Sequence, residues 1–142
     1  MLVRALSILL TLSLGACSVS GLLPDWTSTD VAGPEPAYHF IIANALQSSI
    51  GNPSKVGTLI GDPAKAGTLE ISSARRIDSL KGASWVVCIK AQKSAPLPQY
   101  YAVFFQGGRI VDNRLSVLID QCELQSYTAF NWAADANAPP AR

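Results

Sequence analysis

Ala83-Ser-Trp-Val-Val-Cys-Ile-Lys-Ala91 and Tyr100-Tyr-Ala-Val-Phe-Phe105, with Gln106-Gly-Gly108 and then Arg109 to Ile119 behind them, decide the fold. Each run is short, rich in β-branched and aromatic residues, and bounded by turn formers, which is the composition of strands. Trp85, Val87 and Ile89 share one face of a period-two repeat. The Gly107-Gly108 pair is hairpin chemistry, so the runs on either side of it read as antiparallel neighbours. Upstream, Leu69, Ile71, Ser73, Arg75 and Ile77 alternate with Glu70, Ser72, Ala74, Arg76 and Asp78, a further strand joined through a turn at Ser79 to Gly82. Further upstream the period changes. Ala37 to Ile50 carries Phe40, Ile41, Leu46 and Ile50 on one side, begins after Pro36 and stops before Gly51 and Pro53, as a helix should. The expected fold class is α+β: one N-terminal helix packed on a four-stranded antiparallel β-meander over residues 37–132, with the far sheet face open to solvent or to a second covering segment.

Between helix and sheet, Ile50-Gly-Asn-Pro-Ser-Lys-Val-Gly-Thr-Leu59 is followed by Ile60-Gly-Asp-Pro-Ala-Lys-Ala-Gly-Thr-Leu69. Two copies are too few for a solenoid. Their Gly-Asn-Pro and Gly-Asp-Pro steps are turn chemistry, so the duplication at 50–69 reads as lengthening of a surface loop. Residues 133–142 are rich in Ala, Pro and Asn and read as a disordered tail. The chain has 142 residues, room for one domain. With 11 Lys+Arg against 10 Asp+Glu it lacks the basic footprint of a nucleic-acid binder and the polybasic patch of a binder of anionic lipid heads.

Met1 to Cys17 reads MLVRALSILLTLSLGAC: a positive residue at Arg4, an apolar stretch from Ala5 to Leu14, then small residues. That is the layout of a secretory signal, too short for a bilayer of ~30 Å. Leu14-Gly15-Ala16-Cys17 resembles the lipobox of bacterial lipoproteins. The resemblance implies removal of residues 1–16, diacylglycerol on Cys17 and acylation of its new amino group. A multiply acylated terminus holds a membrane stably. Ser18, where Asp would favour the inner membrane, implies the periplasmic leaflet of the outer membrane. Residues 17–36, with Pro24, Gly33, Pro34 and Pro36, then form a flexible tether, with Trp26 either a membrane-interface anchor or folded back on the domain. With Cys17 lipidated, Cys88 and Cys122 remain, and an even pair in an exported chain reads as a disulfide. The bridge requires a reversal through Asp120 and Gln121 and puts the Tyr127 to Trp132 segment against the sheet face on the Cys88 side.

Chemistry is sparse. His39, the only histidine, stands among apolar neighbours at the start of the helix, where packing or capping is its usual role. No nucleophile elbow, zinc motif or phosphate-binding loop occurs, and the sequence calls for no cofactor or metal. Tyr100, Tyr101, Phe104 and Phe105 give both faces of one strand aromatic character, a contact patch if one face is exposed. Trp85-Val-Val-Cys88, Tyr100 to Phe105 and Asp120-Gln-Cys122 with Tyr127, within residues 68–132, resemble small proteobacterial envelope lipoproteins of no assigned activity. The expected function is a membrane-anchored, non-catalytic structural or interaction module that contacts another envelope protein or the cell wall. The alternative is a periplasmic ligand-binding or hydrolytic domain with a helix–sheet cleft, for which His39 beside an acid in a concave pocket would be the sign.

Overall fold

Val86 and Cys88 point to one side of their strand, and Val87, Ile89 and Ala91 to the other, and all five are buried. A strand buried on both faces has to lie in the middle of its sheet. The computed structural model, which describes residues 31–50, 60–79, 82–92 and 96–138, puts it there. The elements in chain order are helix α1 (Tyr38–Gln47), strands β1 (Thr68–Ser72), β2 (Arg75–Ser79), β3 (Gly82–Gln92), β4 (Gln99–Gln106), β5 (Arg109–Leu115) and β6 (Tyr127–Ala129), and a last short helix α2 (Trp132–Asp135). The sheet has six strands, in the order β5-β4-β3-β1-β6 with β2 also on β3, and every pairing is antiparallel.

The expected four-stranded meander under one N-terminal helix is therefore corrected to a mostly-β fold of six strands with one main helix. Two local causes explain the difference. The alternating run from Leu69 to Asp78 is not one strand. Ile71 stands opposite Ile89 but Arg75 stands opposite Val86, so one extra residue is accommodated at Ser72 to Ala74. Such an insertion turns every later side chain to the other face. Leu69 and Ile71 face α1, whereas Ile77 joins Val86 and Cys88 on the far side. The Ser72 hydroxyl closes the gap by accepting the Cys88 N–H at 2.9 Å. The second cause is β6, where the chain returns and pairs Thr128 with Ile71 and Tyr127 with Ser72 along the edge of β1.

The main core lies between α1 and the sheet. Ile42, Ala43 and Leu46 pack on Leu69, Ile71, Val87, Ile89, Val103 and Phe105. Ile50, expected on the packed face of the helix, lies beyond its end and is exposed. The second decapeptide is not a free loop. Ile60, Pro63, Ala66 and Leu69 are buried, a spacing of three residues that the 3-10 turn at Pro63–Lys65 brings to one side. Residues 51–59 of the first copy lie outside the described residues. So does Trp26. The end of the expected tether does belong to the domain: Ala32 is buried and its carbonyl accepts from Gly107 N–H, while the Gly33 carbonyl accepts from Trp85 Nε1. The expected disordered tail likewise starts too early, because α2 reaches Asp135 and Ala136 is in the core.

Candidate functional site

Cys88 sits on the sheet face away from α1, over a small cluster with Val86, Ala102 and Phe104. Its partner arrives from the segment after β5. Cys88 and Cys122 form a disulfide, 34 residues apart in sequence and 5.5 Å apart at Cα. The expected placement of the following chain is corrected: Tyr127 lies on the Cys88 side, but residues 127–129 join the sheet edge, and Phe130 and Trp132 pack with the α1 core. What covers the Cys88 face is residues 116–124, built as two 3-10 turns, Leu118–Asp120 and Cys122–Leu124, joined by Gln121 at φ 55°.

A non-glycine residue in that left-handed region is held only where its surroundings over-determine it. Asp120 supplies much of the restraint. Its buried carboxylate accepts from Arg114 Nη2 at 2.6 Å, from Arg114 Nε at 3.3 Å and from Val117 N–H at 3.0 Å. Its own carbonyl accepts from Arg75 Nη2 at 2.7 Å. The Arg114 guanidinium, its pKa raised by the hydrogen bond and charge of Asp120, also lies over the Phe104 ring at 4.7 Å. On the other flank the Tyr127 hydroxyl donates to the Cys122 carbonyl at 2.6 Å.

This well-braced segment presents apolar side chains to solvent. Leu118 is 91% exposed, Ile119 81% and Leu124 80%, with Val117 more than half exposed beside them. Val117, Leu118, Gln121, Cys122, Glu123 and Leu124 line a shallow depression between the two turns. Fully burying one such side chain contributes about 1.5–3 kcal/mol, so three of them held outward represent a large unrealised stabilisation. The strand expected over Arg109 to Ile119 hides this surface. The strand ends at Leu115, and the apolar Val117 to Ile119 reads like its continuation. The available signal was Asp120, a short acid in reach of Arg114.

The residues singled out in the sequence lie elsewhere. Tyr101, Phe104 and Phe105 are buried and Tyr100 is half-buried, its ring 6.0 Å from that of Tyr127. The aromatic strand is core on both faces, so the contact patch expected there is corrected to interior packing. Cys17 lies outside the described residues. His39 does meet an acid, with Nδ1 3.3 Å from Asp135 Oδ2 and its ring edge-on to Phe130. The pair clips α1 to α2 at the surface, and the helix–sheet interface behind it is filled by Ile42, Leu46 and the strand residues. Among the described residues no group of three His, Cys, Asp or Glu could hold a metal ion, and no helix is long and apolar enough to cross a membrane. No family model, curated protein or solved structure matches the chain.

Proposed function

We propose that this chain is a lipid-anchored envelope lipoprotein whose domain is a non-catalytic interaction module, and that it docks another envelope protein through Leu118, Ile119 and Leu124. The observation that carries the reading is that three large aliphatic side chains stand almost fully exposed on a segment restrained by a disulfide, a buried carboxylate and a tyrosine hydroxyl. A pre-ordered apolar surface loses little entropy on binding, which favours a protein surface with a matching apolar pocket. The apolar character argues against glycan of the cell wall, which is recognised by polar groups. Cys17 supplies the anchor in this reading, and Ser18 favours the periplasmic leaflet of the outer membrane.

A photo-crosslinking residue placed at Leu118 in cells with intact envelopes should give one dominant protein adduct, whereas the same residue at Asn44, on the exposed side of α1, should not. Leu118→Ser with Ile119→Ser should abolish an adduct formed from position 124. Equal, diffuse adducts from positions 118 and 44 would overturn the reading.

A further inference from the structure

Strand β5 is an outer strand of the sheet: among the described residues it pairs only with β4. Ser116 N–H donates to the Tyr100 carbonyl at 2.8 Å, one step beyond the Tyr101–Leu115 pair. In an antiparallel ladder, alternate residues turn their peptide groups to the same neighbour. Ser116, Arg114 and Asp112 therefore direct theirs to β4, and Asn113 and Leu115 direct theirs outward. The Asn113 N–H agrees, since it donates at 2.8 Å to the carboxylate of its own neighbour Asp112. Outward peptide groups on an edge strand are a template for another strand.

We propose that β5 pairs antiparallel with β5 of a second copy of this chain, about a two-fold axis at Asn113. The charges favour this register over those with the axis one residue to either side. An axis at Asp112 or at Arg114 would set like charges directly opposite each other, which destabilises a strand pair. The axis at Asn113 sets Asp112 opposite Arg114 twice and Val111 opposite Leu115 twice. It also makes the two Asn113 residues a bonded pair, as their outward peptide groups require. An axis between residues would match outward with inward groups and form no ladder.

The side chains are exposed at these positions. Val111 is 52% exposed and Leu115 58%. Arg114 commits Nε and Nη2 to Asp120, leaving Nη1, now 3.8 Å from its own Asp112, for the second copy's carboxylate. The Asn113 N–H exchanges the Asp112 oxygen for the second copy's Asn113 carbonyl. Val111 is the extra residue at the irregularity opposite Phe104 and Phe105, so the new ladder ends at positions 111 and 115, the pairing is short and the dimer weak. This inference uses neither the lipid anchor nor the Leu118 surface, and its failure leaves both standing.

Cysteine cross-linking tests it in the full chain carrying Cys17→Ser, which retains only the native Cys88–Cys122 bridge. Cα atoms in a bonded pair lie ~5.5 Å apart, inside the range a disulfide spans. Under mild oxidant, Asn113→Cys should give a covalent dimer, and Gln47→Cys on the exposed side of α1 should not. Val111→Cys mixed with Leu115→Cys should cross-link more than either variant alone. Asp112→Lys sets a cation opposite Arg114 twice and should reduce the Asn113→Cys dimer about tenfold. Unchanged thermal melts show that each variant folds. The proposal is overturned if position 113 cross-links no better than position 47, if positions 111 and 115 prefer themselves, or if Asp112→Lys has no effect.

Discussion

Asp120 and Tyr127 hold the same segment from two sides, and each makes a prediction at the scale of one side chain. Asp120→Asn keeps the shape but removes the charge that Arg114 meets and one of the oxygens that accept from Arg114 and Val117. The amide oxygen can still accept from Val117 N–H and Arg114 Nε, but the NH2 group then meets Arg114 Nη2 donor to donor, and the half-exposed Arg114 turns to water. The expected loss is about 1–3 kcal/mol by urea unfolding, with faster hydrogen exchange at the Val117 amide. Burial, assisted by the nearby negative charges of Glu70 and Glu123, pushes the Tyr127 hydroxyl well above its usual range. A raised folded-state value means stability that is present below the unfolded pKa of about 10 and lost as pH rises beyond it, when the unfolded phenol ionises first. Tyr127→Phe should cost about 1 kcal/mol at neutral pH through the lost hydrogen bond to Cys122. Its deficit against the parent chain should shrink between pH 9 and 11, and a constant deficit would contradict the assignment. Neither role was legible beforehand, because both depend on a carbonyl or N–H that only the folded loop presents.

At the scale of elements, strands were legible where alternation was long and turn chemistry clear, as at Gly107-Gly108. The failures were short-range. One added residue near Ser73 leaves the alternation of 69–78 looking intact while moving Ile77 to the other side of the sheet. Strand β6 has three residues and owes its existence to β1, with the Phe130 N–H donating to the Leu69 carbonyl at 2.9 Å. The turn residues of the duplicated decapeptide point to a loop, although the spacing of Ile60, Pro63, Ala66 and Leu69, all buried, is also present. That burial goes against reading the duplication as mere lengthening of a surface loop. Deleting residues 50–59 leaves the native second copy in place. Deleting 60–69 gives a chain of equal length in which Val56 follows into the site of Ala66, which has no exposed surface. Overpacking of this kind costs about 1–3 kcal/mol, so the second deletion should melt several degrees below the first. Equal melting temperatures would place the repeat outside the core.

For the whole molecule, the disulfide is the main covalent restraint, joining the central strand to the segment that covers its far face. Closing a loop of this length removes unfolded-state entropy worth about 3–4 kcal/mol. Replacing both Cys88 and Cys122 by Ala should lower unfolding stability by about that amount and raise exchange at the Leu118 and Ile119 amides. Unchanged stability would show that the loop is held by Asp120 and Tyr127 alone. The pairing of these cysteines was readable from their number and the N-terminal signal pattern, but not what the bridge pins down, because that depends on the strand ending at Leu115. The C-terminal return has a consequence in time. Thr128 donates to the Ile71 carbonyl, His39 meets Asp135, and Phe130 and Ala136 complete the core that α1 begins. In the export proposed for this chain, with its N-terminus leading, the interior would close only once residues 127–136 had emerged, so the chain would stay threadable through its passage and become compact on the oxidising side.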